Sequence, residues 1–276
     1  MSRSLTLTYG HGTHNDFLLY FDPDGTHDVD AAFVRAQCDR VTGLKSSTPE
    51  GEIVGADGLI RCVKIDGKWF MDYRNNDGSI AEMCGNGIRV MARYIIQKGL
   101  QQEGIFGINS RAGMKYLSAP IDEDISVNLG KVEHIPGDIT VQANGHTWGE
   151  GFNINVGNPH AVVFVDNVAD AGDLKSIPTV EPKSEYPDGV NVEFVKFLDN
   201  GELQMRVHER GVGETQSCGT GTVAVALAAT LKKGKSIPAK WVINPPGGRL
   251  SVEVDAHSNA ILTGPAVVYG DVAVTY

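Results

Sequence analysis

The sequence predicts an α/β fold, of the α+β type, with two pseudo-symmetric domains that each wrap a curled mixed β-sheet around a central apolar helix. One short motif occurs twice, at Cys84 and at Cys218, almost half of the 276 residues apart, and each copy runs into a stretch of helix length. In the second copy that stretch, residues 223–231, carries no charge, so a helix there has to be buried. Five flanking patterns recur at offsets of 131 to 135 residues, which indicates duplication of one unit.

The elements of the first half follow from local patterns. Two strands joined by a polar turn occupy residues 5–21. Asp28 then begins a helix with apolar residues at helical spacing, and Lys45 to Gly55 form an exposed polar loop. A hairpin with its turn at Asp66-Gly67 leads through a polar loop to Cys84.

The second half repeats this plan, which sets the predicted domains. The N-terminal domain comprises residues 1–124 and carries Cys84, and the C-terminal domain comprises residues 125–264 and carries Cys218. Residues 265–276 lie beyond the second repeat, so we expect their strand to return to the N-terminal domain.

Composition narrows the classes of function. A hydrophobic content of 41% is typical of a globular protein, and a net charge of −10 argues against a nucleic-acid surface. No apolar run reaches the roughly 18 residues of a membrane span, and no signal peptide is recognisable, so we expect a cytoplasmic protein with reduced cysteines. The sequence contains no Cys-x-x-Cys pair, dinucleotide fingerprint or P-loop, and therefore we expect neither metal nor cofactor.

Each copy of the motif is a cysteine, a glycine, a small polar residue and a second glycine at the start of a predicted helix. A helix start offers unpaired N–H groups and partial positive charge, and glycine lets a ligand approach closely. Such a site binds a carboxylate and raises the thiolate fraction of a cysteine. One copy alone would fit a tight turn with a buried cysteine. Two copies favour an active site between the halves, with a thiol from each.

The loops before the two helices add polar side chains, namely Asn15, Asn75, Asn158, Asn191, Glu209 and Arg210. Any one asparagine could simply cap its own turn. Together with Arg210, which can pair with a carboxylate through two hydrogen bonds, the set suits a small zwitterion. His160 and Glu209 are candidate bases beside the thiols, although such a histidine often has a structural role and Glu209 could form a surface ion pair.

Two thiols on opposite sides of one carbon predict proton transfer without net redox chemistry. One thiolate removes a proton and the other thiol delivers one to the opposite face, which inverts the stereocentre. Thiol pKa values of about 8.5 make both forms accessible near neutral pH. The amides of the helix starts would stabilise the carbanion through its carboxylate.

The whole chain resembles the diaminopimelate epimerase family. Three segments carry the resemblance, of which the last is the most specific: Asn75-Asn76-Asp77-Gly78-Ser79 with Met83-Cys84-Gly85-Asn86-Gly87-Ile88-Arg89, then Gly157-Asn158-Pro159-His160, then Glu209-Arg210-Gly211-Val212-Gly213-Glu214-Thr215-Gln216-Ser217-Cys218-Gly219-Thr220-Gly221. The resemblance implies a cofactor-independent epimerase that interconverts LL- and meso-diaminopimelate for lysine and peptidoglycan synthesis, usually as a homodimer. Tyr9 and His14 stand where the family usually has a lysine and a glycine.

The family's functional residues map onto this sequence. Cys84 and Cys218 would be the two acid–base thiols, assisted by His160 and Glu209 respectively. The reacting carboxylate would be held by backbone amides of Gly85, Asn86, Gly219 and Thr220. The rest of the substrate would be held by Asn15, Asn75, Asn158, Asn191, Glu209 and Arg210.

Three other functions fit parts of the pattern. A proline-type racemase would share the fold but would not need Arg210 for a distal carboxylate. A thiol redox or sensor protein would use Cys84 and Cys218 as an exchanging pair. A binding module for amino acids would keep binding in Cys84→Ala and would show no turnover in the parent protein. The two thiols would also predict a reversible disulfide that switches the enzyme off, provided that their Cα atoms come within roughly 7 Å.

Overall fold

The computed structural model describes residues 4–275, which fall into two compact units. Unit 1 extends to Val127 and resumes at Pro265, and unit 2 runs from Asn128 to Gly264. Residues 1–3 and 276 of the predicted N-terminal domain lie outside the described residues.

The described residues are mostly β-sheet, with three α-helices and two short 3₁₀ turns. The helices are α1 (Ala31–Cys38), α2 (Gly85–Gln97) and α3 (Gly219–Lys232). The strands are β1 (Ser4–Gly12), β2 (Asn15–Asp22), β3 (Lys45–Thr48), β4 (Gly51–Val54), β5 (Gly58–Ile65), β6 (Lys68–Asn75), β7 (Gly104–Asn109), β8 (Lys115–Ala119), β9 (Ile125–Lys131), β10 (Glu133–Ala143), β11 (His146–Asn155), β12 (Pro159–Phe164), β13 (Thr179–Glu181), β14 (Asn191–Phe197), β15 (Leu203–Glu209), β16 (Gly213–Thr215), β17 (Ala239–Asn244), β18 (Leu250–Val254), β19 (Asn259–Gly264) and β20 (Val267–Thr275).

The two units have the same strand plan, which confirms the predicted pseudo-symmetric mixed sheets. In unit 1 the neighbours run β20, β1, β2, β5, β6, β7, β8 and β9, with β2–β5 and β6–β7 parallel. In unit 2 they run β13, β10, β11, β12, β14, β15, β17, β18 and β19, with β12–β14 and β15–β17 parallel. Helix α2 directly precedes β7 in the sequence, and α3 directly precedes β17; each of these strands belongs to the second parallel pair of its unit. In both units the sheet packs around this helix.

The central helices α2 and α3 are buried along nearly their whole length and share their end signals. A cysteine caps the start of each. At the other end Gly99 and Gly234 take left-handed φ angles of 69° and 60°. The N–H of the residue after each glycine donates to the carbonyl five residues before it in the sequence. Glycine suits this position because it has no Cβ. Unlike α3, α2 also buries two arginines, Arg89 and Arg93.

Two local features of unit 1 differ from the sequence expectations, and a third concerns the unusual residue His14. The loop predicted at Lys45 to Gly55 is wrong, because β3 and β4 form a two-stranded hairpin there, with a Lys45–Glu52 ion pair of 3.0 Å. Helix α1 begins later than Asp28, since Asp30 is the residue whose side chain accepts the cap hydrogen bond. His14 takes a φ of 57° in the tight turn before β2, a conformation that the family's usual glycine would adopt without strain.

Candidate active site

Cys84 caps helix α2 with its own sulfur. Its backbone is extended, with φ −133° and ψ 123°, and Sγ accepts a hydrogen bond from the N–H of Gly87 at 3.5 Å. The thiol also donates to Oδ1 of Asn15 at 3.4 Å. A predicted binding residue on β2 is therefore in direct contact with the predicted thiol.

A hydrogen-bonded relay fixes which way the Asn15 amide points. The guanidinium of Arg89 donates to Asn86 Oδ1 (3.1 Å), Asn86 Nδ2 donates to Asn15 Oδ1 (3.2 Å), and Asn15 Nδ2 donates to Asp57 Oδ2 (2.8 Å). Arg40 donates to the other oxygen of Asp57 at 2.5 Å. Because arginine only donates and a carboxylate only accepts, both amides have one orientation. Asn15 accordingly turns its oxygen towards the thiol.

Arg89 is a site residue that sequence reasoning missed. Its side chain is fully buried, and it also donates to the carbonyl of Gly85, the first residue of α2. Burial lowers the pKa of Arg89 to about 10, with the charges of Cys84 and Asp124 opposing that shift, so the guanidinium stays charged at neutral pH. The available signal was a basic residue among the apolar residues of a helix that was expected to be buried.

Cys218 repeats the cap at the start of α3, in a more closed environment. Its Sγ accepts from the N–H of Gly221 at 3.3 Å and lies 3.6 Å from Oγ1 of Thr220. Burial raises the pKa of Cys218 well above its usual value, and the charges of Glu209 and Glu193 raise it further. The neutral thiol is therefore the favoured form of Cys218 in unit 2.

Glu209 ends β15 close to Cys218. Its Oε1 accepts a hydrogen bond of 2.5 Å from Thr215 Oγ1. Burial raises the pKa of Glu209, although hydrogen bonds from Thr215 and Cys218 and the charge of His160 oppose the shift. A carboxyl group of raised pKa beside a thiol is suited to exchanging a proton with it. Among the described residues, Glu209 accepts from Thr215 and the Arg210 guanidinium donates to the Asp188 carbonyl, which does not favour the alternative of a surface ion pair between them.

His160 lies on β12 between two oxygen acceptors. Its Nδ1 is 2.6 Å from Glu193 Oε1, and its Nε2 is 3.0 Å from Asn158 Oδ1. Asn158 Nδ2 in turn lies 3.4 Å from the Thr220 hydroxyl. Glu193 was missed by the sequence reasoning, and its signal was an acidic residue in the centre of the apolar strand β14.

Asn191 and Arg210 are joined through the backbone at the same end of unit 2. Asn191 Nδ2 donates to the carbonyl of Pro159 (2.9 Å), and its Oδ1 accepts from the N–H of Arg210 (3.0 Å). The guanidinium of Arg210 has a long hydrogen bond to the carbonyl of Asp188 (3.4 Å) and keeps other donors for a ligand.

The predicted site residues thus form one group in each unit. Unit 1 joins Asn15, Cys84, Gly85 and Asn86, whereas Asn75 donates to Ser79 within its own loop at 3.0 Å. Unit 2 brings together Asn158, His160, Asn191, Glu209, Arg210, Cys218, Gly219 and Thr220.

Other site types find no support in the part of the chain that the structure describes. None of the four cysteines forms a disulfide there, and Cys38 and Cys62 are buried, as expected for packing residues. Across residues 4–275, no three side chains of His, Cys, Asp or Glu cluster as metal ligands do. Within the same residues, no helix has both the length and the apolar character needed to cross a membrane.

The fold is one that several solved structures share. A phenazine biosynthesis protein of the PhzF family from Bacillus anthracis is 13% identical, with a TM-score of 0.70 and coverage of 99% of both chains. A hydroxyproline epimerase from Agrobacterium vitis is 17% identical, with a TM-score of 0.67 and coverage of 99% of this chain and 93% of the other. The chain is thus a protein of the two-domain fold found in these two structures.

The sequence comparisons define the family within that fold. The model of the family described as diaminopimelate epimerase matches residues 7–135 and 152–269. The diaminopimelate epimerase of Streptomyces coelicolor is 41% identical over 287 residues, covering 98% of this chain and 96% of the relative. That of Thermobifida fusca is 42% identical over 278 residues, covering 95% of each. The chain belongs to the diaminopimelate epimerase family.

Proposed function

We propose that this chain interconverts LL- and meso-diaminopimelate without a cofactor, with Cys84 and Cys218 as the acid–base groups. The observation that carries the proposal is the repeated cap, in which each thiol lies at the N-terminus of a buried helix and accepts an N–H of its first turn. A helix start carries partial positive charge, which favours a bound carboxylate and a thiolate. At Cys218 the hydrogen bond from Gly221 accordingly acts against the burial that raises the pKa of the thiol. The names of the curated relatives support diaminopimelate as the substrate.

The proposed reaction inverts one α-carbon by two proton transfers. One thiolate takes the α-proton, and the other thiol donates a proton to the opposite face. His160 assists Cys84 and Glu209 assists Cys218. The raised pKa of Glu209 and its hydrogen bond with Cys218 support the second pairing, because such a carboxyl group can hold the proton that the thiol gives up.

The remaining residues would bind the substrate. We assign the reacting carboxylate to the N–H groups of Gly85, Asn86, Gly219 and Thr220, which lie at the two helix starts where negative charge is stabilised. The rest of the substrate is assigned to Asn15, Asn75, Asn158, Asn191, Glu209 and Arg210. Arg210 suits the distal carboxylate because its guanidinium retains unused donors.

The test is exchange of the α-proton in heavy water with LL-diaminopimelate. The wild-type protein is expected to incorporate solvent deuterium and to form the meso compound, whereas Cys84→Ser and Cys218→Ser abolish epimerisation. Cys38→Ala, which removes a buried thiol far along the sequence from both motifs, serves as the control and is expected to keep activity. A wild-type protein that exchanges no proton would end the proposal. Turnover of proline would then favour the racemase, and thiol exchange the redox protein.

We further propose a cytoplasmic homodimer, as the family resemblance implies. Light scattering coupled to size exclusion gives the mass, and a monomer at micromolar concentration would contradict the dimer. The reversible disulfide between Cys84 and Cys218 also stays a prediction. It requires inactivation by oxidant and recovery with a dithiol.

A further inference from the structure

Unit 2 buries an ionisable pair where unit 1 buries two hydrocarbon side chains. His160 and Glu193 lie on the parallel strands β12 and β14, and neither side chain has any exposed surface. The matching positions on the parallel strands β2 and β5 are Phe17 and Ile60, which are also fully buried. The register is the same in both strand pairs. Asn191 faces His160, and Glu193 lies two positions further along β14; Gly58 faces Phe17, and Ile60 lies two positions further along β5.

Phe17 and Ile60 in unit 1, and Glu193 in unit 2, pack against the second glycine of the helix-start motif. A Cβ on Gly87 would lie 3.1 Å from Ile60 Cδ1 and 3.2 Å from Phe17 Cζ. A Cβ on Gly221 would lie 2.7 Å from Glu193 Oε1. The space beside Gly87 in unit 1 and the space beside Gly221 in unit 2 are therefore equivalent. In unit 1 this space is filled by apolar side chains only. Since burying an ion pair carries a desolvation penalty, packing alone does not explain His160 and Glu193.

The contact with Glu193 fixes which ring nitrogen of His160 faces a carboxylate. Nδ1 faces a carboxylate oxygen at 2.6 Å and Nε2 faces an amide oxygen, Asn158 Oδ1, at 3.0 Å. A carboxylate oxygen accepts, so Nδ1 is the nitrogen that donates to Glu193. The second oxygen of Glu193, Oε2, is buried without a hydrogen-bond partner in residues 4–275. A carboxylate kept only for structure would normally have both oxygens satisfied.

We propose that Glu193 is a positioning residue that orients the His160 ring and keeps a proton on Nδ1, so that Nε2 is the nitrogen that exchanges a proton in the reaction. The inference rests on the proposed role of His160. Histidines that work through one nitrogen commonly have the other one fixed by such a carboxylate. The other ionisable groups whose charges couple to this part of unit 2 are Glu209, Cys218 and Tyr186.

The first test is spectroscopic and independent of activity. The ¹⁵N shifts of His160, assigned by comparison with His160→Gln, are expected to show a proton on Nδ1 in the wild-type protein. In Glu193→Gln the fraction of rings with the proton on Nδ1 is expected to fall. A wild-type ring whose Nδ1 carries no proton would overturn the proposal, even if no variant folded and even if the protein proved inactive on diaminopimelate.

The second test measures kinetics. Glu193→Gln is expected to lower kcat roughly 10- to 100-fold, with KM changed less than twofold and with the pH profile of kcat displaced, because a positioning residue acts on His160 and not on the substrate. The control copies unit 1 as the double variant His160→Phe with Glu193→Ile, which is expected to fold with at least wild-type stability and to be inactive. A Glu193→Gln protein with the kcat and pH profile of the wild type would refute the role, and so would a double variant that loses stability.

Discussion

Replacing Gly221 by alanine adds one methyl group where unit 2 has no space for it. The new Cβ would lie 2.7 Å from Glu193 Oε1 and 3.3 Å from Cys218 Sγ, inside the contact distance of about 3.5 Å. Glu193 cannot retreat without lengthening its 2.6 Å contact with His160. We therefore expect Gly221→Ala to displace the carboxylate and to lower kcat.

We expect Gly221→Ala to lower kcat clearly while the protein stays folded. Overpacking costs about 1–3 kcal/mol, and the higher helix propensity of alanine offsets at most about 1 kcal/mol of that. The net cost of roughly 0–3 kcal/mol leaves a domain of ordinary stability folded. A perturbation of about 1.4 kcal/mol in the geometry of the acid–base groups corresponds to a tenfold lower kcat. Urea unfolding followed by circular dichroism, together with initial rates of epimerisation, measures both quantities.

Gly87→Ala in unit 1 is the matched control. Its Cβ would lie 2.9 Å from Met71 Cε, the flexible end of a side chain that can rotate away, and its next neighbours are the apolar Ile60 and Phe17. We expect less than a threefold loss of kcat. Wild-type kcat in Gly221→Ala, or equal losses in the two variants, would refute the reasoning.

Three further variants test the charges of the site and of its support. Burial raises the pKa of Glu209, so at a pH above the pKa of the unfolded chain the ionised carboxylate destabilises the fold. Glu209→Gln should therefore raise the urea midpoint at pH 7, and this gain should vanish near pH 4. The same variant should abolish activity. Arg40→Met removes the cation that anchors Asp57 behind Asn15 and should raise KM roughly tenfold, about 1.4 kcal/mol, with little change in secondary structure. Burial tends to raise the pKa of Asp22, but its hydrogen bonds outweigh this and lower it, so its stabilisation is present above pH 4 and lost in acid. Asp22→Asn should accordingly destabilise the fold at pH 7 and much less below pH 4.

Local signals made the fold largely predictable. The glycines beside Cys84 and Cys218 and the uncharged run after the second one are contiguous in sequence, so each buried helix could be placed without knowing its neighbours. The β3–β4 hairpin could not be found this way. Its side chains are mostly polar, and β3 packs against β20, more than 200 residues further along the chain.

The site was predictable as a set of side chains but not as a network. Asn15 could be selected because it ends a polar turn, yet the direction of its amide depends on Asp57, 42 residues away, and on the Arg89 relay. Glu193 reads in sequence as a tolerated charge in an apolar strand. Only its distances to His160 and Gly221 show that the second glycine of the motif makes room for it.

Because β20 pairs with β1, the sheet of unit 1 can be completed only after unit 2 has been translated. Ser4 faces Thr275, so β1 lacks one of its two neighbours until the last described strand has left the ribosome. Unit 2 is continuous from Asn128 to Gly264 and is complete earlier, although it is translated second. Throughout that interval the nascent chain carries the unpaired backbone edge of β1, the edge at which it is most open to pairing with the wrong strand.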